Sequence, residues 1–247
     1  MYKNRVIGAS GALLLWQLVA WLNVFNPIYF ASPSEVLTEA VKMFQQGVIF
    51  HEFASTLYRI TISIILSSLI GIPIGIALGY FAHLYEYVGE IVDFLRSIPP
   101  VVIYPLLFVV LGPGDSSRIG TALFGSIVVL VLIISKGLFQ QSPLRKQYFR
   151  SLGAGQVQIF KHVIWYEALP HIIVALRTST SMTIIIIVVT EMLVGTRYGL
   201  GTRVQNVQIT GNIPDLFVTI IIIGFIGVMF NKTFIWLDRK LIFWKSN

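Results

Sequence analysis

The side chains that carry metal or nucleophilic chemistry are few in this chain and widely scattered. There is no cysteine, which excludes thiolate metal sites, disulfide bonds and cysteine nucleophiles. The four histidines lie at positions 51, 83, 162 and 171, and His51-Glu52 lacks the second histidine that a zinc-hydrolase helix needs. No Gly-Lys pair exists to form a Walker A phosphate loop. The sequence therefore predicts a chain that is not an enzyme and that binds no metal, ATP or other cofactor itself.

Arg177 and Glu191 lie within or at the ends of a long apolar stretch, where charge is costly and usually has a function. They are fourteen positions apart. In a helix this separation puts them about 40° apart on one face and roughly 21 Å apart along the axis, so they cannot pair with each other. The same face carries Ser181, Ile184 and Val188. We predict that this face lines a path through a membrane, with Arg177 near the cytoplasmic mouth and Glu191 near the outer mouth.

The alternative for these two charges is a structural role. Each could pair with a residue of another helix, or Glu191 could hold the glycine-rich segment that follows it through backbone N–H groups. We favour the structural role for Glu191 over a direct contact with a solute.

The composition indicates what must position these residues. Of the 247 residues, 55% are hydrophobic and 12% are charged, and the mean hydropathy is +0.80. A water-soluble core cannot bury that much apolar surface, so the chain belongs in a lipid bilayer. The excess of 18 Lys and Arg over 11 Asp and Glu is interpreted as the basic bias of cytoplasmic loops and not as a nucleic-acid surface.

The N-terminal part contains a predicted span and a predicted surface helix. The apolar run from Val6 to Leu22 is long enough to cross a membrane. The alternative is a signal peptide, but no small-residue cleavage site follows the run. Ser32 and Glu35 have the spacing of a capping box, and Gly47 can end the helix that begins there. The apolar residues of this helix recur on one face, which predicts that it lies on the membrane surface.

A stripe of small residues marks the second predicted span, from about 56 to 81. Ser67, Gly71, Gly75 and Gly79 recur at every fourth position. In lipid, such a stripe lets a neighbouring backbone approach closely. We predict that it is a helix-packing face and not a lining of the solute path.

Four more spans follow. The third is too short without the residues before Pro99 and Pro100, so we expect a kink at these prolines and place them at the path or its gate. The others cover about 119–135, 172–194 and 216–237. Six spans put both termini and the loop at 139–170 on one side, and that side is richer in Lys and Arg, so we predict that it is cytoplasmic. The basic residues on this side are Lys3, Arg5, Arg96, Arg145, Lys146, Arg150, Lys161, Arg239, Lys240 and Lys245, against Lys42, Arg197 and Arg203 on the other.

The loop matches a known pattern. Ser151-Leu152-Gly153-Ala154 is followed, after a helical stretch, by Glu167-Ala168-Leu169-Pro170. This resembles the cytoplasmic "EAA" loop of ABC importer permeases, in which a glycine lies midway and a Leu-Pro pair closes the segment. The resemblance continues through the glycine-rich second span, the proline-broken third span and the segment from Glu191 to Gly201. It covers nearly the whole chain and is greatest to the sulfonate, taurine and nitrate branch.

The resemblance implies an all-α integral membrane protein with type I ABC importer permease architecture. Six transmembrane helices and a cytoplasmic coupling-helix loop would form one domain, 1–247. Residues 1–55 would supply the first span and an outer amphipathic helix, and residues 56–240 a five-helix core with the loop at 139–170.

The resemblance also implies partners and a place in the cell. These are a second copy of the chain, two ATP-binding cassette subunits that bind ATP and Mg, and an extracytoplasmic solute-binding protein. The expected location is a bacterial-type inner membrane, with both termini in the cytoplasm. The solute would be a small anion or organic acid such as a sulfonate, taurine or nitrate.

In this family a short helix of the loop sits in a groove of the ATPase. Where the family has Glu-Ala-Ala, this chain has Gln147-Tyr148-Phe149, which implies a bulkier, uncharged contact. Gly153 permits a sharp turn between two short helices. The other residues assigned to coupling are Arg150, Leu152, Ala154, Val157, Phe160 and Lys161, with Ile159 as a further groove anchor and Leu169 and Pro170 as the hinge into the fifth span.

Two alternatives remain open. The chain could be a stand-alone secondary transporter or channel that uses Arg177 and Glu191 for ion coupling, although no persuasive internal repeat supports this. The loop could also be an amphipathic segment that only binds lipid headgroups through its basic residues. A membrane-embedded enzyme is not supported, because no nucleophile, base and metal site converge on one face of the bilayer.

Overall fold

The computed structural model describes residues 2–26, 28–140 and 143–244. Within these ranges the chain is helical and contains no strand. A 3-10 helix, Pro100–Ile103, precedes the helix Tyr104–Leu111, and a π-helical turn, Phe160–Ile164, joins the helices Gln156–Ile159 and Trp165–Leu193. Lys245 and the side chains of Lys3 and Arg5, which enter the count of cytoplasmic charges, lie outside the described part. The helices are α1 (Tyr2–Trp21), α2 (Pro33–Gln46), α3 (Val48–Tyr80), α4 (Ala82–Ser97), α5 (Tyr104–Leu111), α6 (Asp115–Phe139), α7 (Pro143–Ser151), α8 (Gln156–Ile159), α9 (Trp165–Leu193), α10 (Leu200–Thr210) and α11 (Ile213–Leu241).

Four helical stretches of the described chain are long and apolar enough to cross a membrane: α3, α6, Gln156–Leu193 and α11. The pair α4 and α5 is a fifth candidate if it counts as one span, and its arms are bent by 87°. The predicted break at Pro99 and Pro100 is therefore confirmed. Within α1, the stretch in which every side chain is described, Ser10–Trp21, is apolar but shorter than a span, so the count of six spans stays a prediction.

The ends of α2 follow the capping signals in its sequence. The Ser32 Oγ accepts from the Glu35 N–H, and the Glu35 carboxylate accepts from the Ser32 N–H at 2.7 Å, which completes a capping box. The hydrogen bonds from Ser32 lower the pKa of Glu35 below its ordinary value. Gly47 ends the helix with φ +76°, a backbone conformation that favours glycine.

The chain divides into two compact units. The first contains Met1–Leu57 and Glu191–Ile226, and the second contains Tyr58–Thr190 and Gly227–Asn247. The long helices α3, α9 and α11 each contribute residues to both units. The loop at 139–170 belongs wholly to the second unit, and the buried Glu191 belongs to the first.

In the second unit, α3 packs against α6 along the stripe of small residues. A Cβ atom added at any of three glycines would lie closer than 3 Å to the Cβ of a residue on α6, so only glycine permits this approach. Ser67 is buried on α3, and its hydroxyl donates to a carbonyl of its own helix. The close pairs are Gly71 with Leu130 at 2.9 Å, Gly75 with Ile134 at 2.9 Å and Gly79 with Leu138 at 2.8 Å.

Two boundaries differ from the expectation. Leu169 and Pro170 lie inside α9, and helix extends from Gln156 to Leu193, so the predicted hinge is wrong as the start of the fifth span. A proline is tolerated inside a membrane helix when neighbouring groups satisfy the carbonyl that it frees. The glycine-rich segment that follows Glu191, for which the sequence predicts no helix, contains the helix α10.

Candidate functional site

The loop at 139–170 contains two short helices, α7 and α8, joined by a glycine turn. Gly153 has φ +79°, in the left-handed region that glycine adopts without strain. The N–H groups of Gly153 and Ala154 each donate to a backbone carbonyl of α7 at 3.0 Å, which is the Schellman arrangement at a helix end. The Gln158 side chain accepts from the Gly155 N–H at 2.9 Å and caps α8. Both sides of the turn are therefore held by local hydrogen bonds.

One face of this loop is packed into the core of the second unit. Ile159 is 1% exposed, so it is unavailable to a partner, and its predicted role as a groove anchor is wrong. The buried cluster joins Ile159, Val163, Ile164 and Ala168 to Leu130, Ile134 and Leu138 of α6.

The opposite face of the loop presents apolar and basic side chains. Val157 is 79% exposed and Leu152 is 67% exposed. Phe160, Arg150 and Lys161 are exposed as well. Exposed apolar side chains beside charged ones are typical of a surface that binds another molecule. Of the other residues assigned to coupling, Gln147 and Gly153 are exposed, and Ala154, Leu169 and Pro170 are half-buried.

Contacts that no local pattern predicts hold the loop to its neighbours. Glu167 is 6% exposed and accepts from Arg145 Nη1 at 3.2 Å. Tyr80, at the end of α3, donates from its hydroxyl to Gln156 Oε1 at 2.6 Å. The ammonium of Lys146 lies 5.4 Å from the centre of the Tyr80 ring. The loop is thus attached to α3 and α9 by polar contacts as well as to α6 by apolar ones.

The face of α9 that was predicted to line a path is not uniformly accessible. Arg177 and Ser181 are exposed, and Val188 is half-buried. Ile184 is 9% exposed and Glu191 is 0% exposed. Arg177 and Ser181 are therefore the residues of this set that reach an accessible surface.

Arg177 is held by a residue of α11. Its Nε donates to Asn231 Oδ1 at 3.1 Å, and both side chains are exposed. The guanidinium is thus held at an exposed position, and a guanidinium can bind an oxyanion through paired N–H groups. Sequence reasoning missed Asn231, although a polar side chain in an apolar run is a usable signal.

The two prolines of the predicted gate differ in their surroundings. Pro99 is exposed, whereas Pro100 is half-buried. A Cβ atom added at Gly125 of α6 would lie 2.7 Å from both Pro100 Cγ and Ile186 Cδ1. Pro100 is thus packed against α6 beside the 87° bend between α4 and α5, where its ring helps to hold the bend.

In the first unit, the carboxylate of Glu191 organises the segment between α9 and α10. It accepts from the Gly201 N–H at 2.9 Å and from the Thr56 hydroxyl at 3.0 Å. The Thr56 hydroxyl in turn accepts from the Leu200 N–H at 2.9 Å. Gly199 leaves room for the carboxylate, because a Cβ there would lie 2.9 Å from Glu191 Cδ. These are the contacts that the structural role of Glu191 requires.

A second ionic group in the same unit joins three helices. Arg203 donates to both oxygens of Asp215 at 2.7 Å and to Glu52 Oε2 at 3.0 Å. Burial lowers the pKa of Arg203, but the hydrogen bonds and charges of Asp215 and Glu52 outweigh burial and leave the pKa above its ordinary value. The guanidinium therefore stays charged and holds α3, α10 and α11 together through charge-assisted hydrogen bonds.

Sequence reasoning also missed an ion pair of the second unit in which the arginine is buried and the aspartate is partly exposed. Arg59 is 6% exposed, and its Nε donates to Asp115 Oδ1 at 2.7 Å. An arginine inside the apolar run 56–81 is a signal that could have identified this site.

The fold and these sites define a multi-pass helical membrane protein with a two-faced loop between two of its apolar helices. The chain belongs to the family described as binding-protein-dependent transport system inner membrane component, whose sequence profile matches residues 71–243. Members of this family are permeases of ABC transporters, and the resemblance noted from the sequence is thereby confirmed.

Individual relatives agree with this assignment. The chain is 27% identical over 225 residues to a probable ABC transporter permease protein of Brucella abortus (strain 2308), which covers 91% of this chain and 90% of that protein. It is 29% identical over 206 residues to the taurine transport system permease protein TauC of Escherichia coli (strain K12), covering 81% of this chain and 74% of TauC. It is 23% identical over 256 residues to the nitrate import permease protein NrtB of Synechocystis sp., covering 98% and 91%.

Among solved structures, the fold is similar to an inward facing conformation of the MetNI methionine ABC transporter. The TM-score is 0.68 at 21% identity, over 80% of this chain and 97% of that chain. At this identity the similarity shows the fold alone. It confirms the predicted all-α architecture of a type I ABC importer permease.

Proposed function

We propose that this chain is the membrane-spanning subunit of an ATP-driven importer that works by alternating access. A second copy of the chain, two ATP-binding cassette subunits with ATP and Mg, and an extracytoplasmic binding protein would complete the transporter. The chain would lie in the inner membrane with both termini in the cytoplasm. Family membership supports this proposal, because the family is described as binding-protein-dependent. ATP hydrolysis would take place on the partner subunits.

The observation that carries the proposal is the loop with two different faces. Leu152 and Val157 are exposed on one face, and Ile159 is buried among residues of α6 on the other. An ATPase groove that took up the exposed side chains would displace the loop, and the buried face would pass that displacement to the spans. Tyr148, 63% exposed, and the exposed Gln147 would make an uncharged contact where the family has Glu-Ala.

The substitution Gly153→Val tests this coupling role. A Cβ at Gly153 meets nothing within 4 Å, so the change causes no clash with a neighbour. Its cost is the left-handed backbone at φ +79°, about 1–2 kcal/mol for a residue with a Cβ. We expect ATP-driven uptake in proteoliposomes to fall roughly tenfold, because about 1.4 kcal/mol is a factor of ten in an equilibrium constant. The chain should still insert in the membrane.

The matched control is Gly155→Val, two residues along the same turn. Gly155 has φ −72°, which any residue adopts, and an added Cβ would have only Gln158 Oε1 near it, at 4.0 Å. Uptake by this variant should stay close to that of the wild type. Equal losses in both variants, or full uptake with Gly153→Val, would contradict the proposal. Uptake that persists without the ATPase and collapses with an uncoupler would instead indicate a secondary transporter.

The proposed solute is a small anion or organic acid, such as a sulfonate, taurine or nitrate. Relatives of this chain are named as taurine, sulfonate and nitrate permeases, and these names support this solute class. Arg177 supports it as well, because an exposed guanidinium in a span attracts oxyanions. Ser181 would line the path beside it, because Ile184 is buried and Val188 is half-buried. Glu191 would stabilise the outer segment.

Replacing Arg177 by glutamine is expected to lower uptake of an oxyanion about tenfold or more. The change removes the charge that favours an anion in the path but keeps a polar side chain that can still bond to Asn231. Uptake of radiolabelled taurine and nitrate with the cognate binding protein measures this effect. The control is Arg239→Gln, at the exposed end of α11. An unchanged rate for Arg177→Gln would remove this residue from the path.

A further inference from the structure

A basic cavity and an apolar groove meet in the second unit, at the end of α3. The cavity has a volume of about 490 Å³, and its charged lining residues are Lys146 and Arg150 of α7. The groove has a volume of about 850 Å³ and is lined by aliphatic and aromatic side chains of α3, α9 and α11. Tyr80, Phe81 and Phe160 line both spaces. The two spaces therefore form one site that is cationic at one end and apolar along the rest.

The two cations of the cavity face the same way. Lys146 and Arg150 are four positions apart on α7, so their side chains share one face of the helix. Like charges at this spacing destabilise a helix, and an anion between them would relieve the repulsion. The described part of α7 contains no acidic residue that could do so. The ring of Tyr80 lies 5.4 Å from the Lys146 ammonium and positions this charge without neutralising it.

The groove runs along a membrane span. Its α3 residues extend from Ile64 to Tyr80, which is roughly 24 Å of helix at 1.5 Å per residue. The hydrocarbon of one leaflet is about 15 Å thick, which is half of the bilayer core, so the groove is longer than one leaflet is deep. Since α3 is a candidate span that ends at Tyr80, the groove lies at acyl-chain depth and the basic cavity lies where the helix leaves the hydrocarbon.

We propose that this site binds an anionic phospholipid, with the phosphate between Lys146 and Arg150 and an acyl chain in the groove. A soluble anion would match the cavity but leave the groove empty. An acidic protein segment would place backbone polar groups against the apolar wall, where they would lack hydrogen-bond partners. A phospholipid matches both the basic cavity, through its phosphate, and the apolar groove, through an acyl chain. Because both cations belong to α7, the bound lipid would also stabilise the loop, whether or not the loop couples to an ATPase.

Native mass spectrometry of the delipidated permease tests this assignment. The probes are phosphatidylglycerol and phosphatidylcholine with the same acyl chains. We expect phosphatidylglycerol to bind at least ten times more tightly. The double substitution Lys146→Ala with Arg150→Ala should reduce its binding to the level of phosphatidylcholine. Both side chains lie on a helix surface, so the variant is expected to fold.

The matched control for charge is Lys240→Ala. Lys240 also lies over an aromatic ring, 5.0 Å from that of Trp236, but it lines neither the cavity nor the groove. Its replacement should leave binding of phosphatidylglycerol unchanged. Equal binding of the two lipids by the wild type, or an equal loss with Lys240→Ala, would overturn the proposal.

The groove is tested separately by Ala77→Trp, which fills it without changing charge. Ala77 lines the groove and is only half-buried. Binding of phosphatidylglycerol should fall at least fivefold, and inorganic phosphate in millimolar excess should not displace the lipid from the wild type. Unchanged binding by Ala77→Trp would mean that the groove holds no acyl chain. Exclusion of the lipid from the assembled transporter would mean that a protein surface covers the site, and either result rejects the proposal.

Discussion

The substitution Glu191→Ala is expected to destabilise the first unit by about 3 kcal/mol or more. The carboxylate is fully buried and accepts from the Gly201 N–H and the Thr56 hydroxyl. Its removal leaves both donors buried without this acceptor, and each such group costs about 1–3 kcal/mol. The segment between α9 and α10 should loosen, because Thr56 also holds the Leu200 N–H. The temperature at which the detergent-solubilised protein loses monodispersity measures the loss of stability.

Two further variants separate the carboxylate's structural role from a contact with solute. Glu191→Gln keeps one acceptor oxygen and should recover about half of the stability lost by the alanine variant. Glu90→Ala removes an exposed carboxylate from α4 and should have no effect beyond about 0.5 kcal/mol. If Glu191→Ala were as stable as the wild type but failed to transport, the carboxylate would act on the solute. The assignment to a structural role would then be wrong.

The substitution Gly75→Leu is expected to disrupt the second unit. A Cβ at this position would lie 2.9 Å from the Cβ of Ile134 and 3.3 Å from the Cα of Val131, so even alanine forces α3 and α6 apart. Overpacking of a close-packed core costs about 1–3 kcal/mol, and leucine adds three more carbon atoms to the collision. The separation would also displace the cluster that anchors the loop. Both the yield of folded protein in the membrane and uptake should fall severalfold.

Gly224→Leu is the control for adding a leucine to a membrane helix. Gly224 lies in α11, another candidate span, and an added Cβ meets nothing within 4 Å. This variant should fold and transport nearly as well as the wild type. If both glycine substitutions were equally harmful, helix propensity or insertion would explain the loss, and the close approach of α3 to α6 would not.

Signals carried by a few neighbouring residues sufficed for part of the fold. The capping box of Ser32 and Glu35, the glycine end of α2 at Gly47 and the break at Pro99 and Pro100 all follow from local backbone chemistry. Apolar runs placed both ends of α6 and α11 within about four residues, whereas the helices of the second and fifth predicted spans begin earlier than predicted. The helix α10 was missed because its polar sequence shows no strong apolar period.

In the loop at 139–170, local sequence signals do not predict which face is buried. Val157 and Ile159 are both apolar and lie two residues apart, yet the first is 79% exposed and the second is 1% exposed. Helical periodicity separates their faces but does not say which face meets the core. That choice depends on α6, which supplies Leu130 and Ile134 to the buried cluster.

The sequence and the tertiary structure thus determine different properties of this protein. The sequence alone determined the family, the membrane class, most spans and the glycine turn at Gly153, because these depend on composition and on short-range backbone preferences. Only the tertiary structure decided which polar groups meet, such as Thr56 with Glu191 or Arg203 with Glu52, pairs separated by 135 and 151 positions. In lipid, an apolar side chain is as well placed against lipid as against a helix, so hydrophobic pattern cannot specify these contacts.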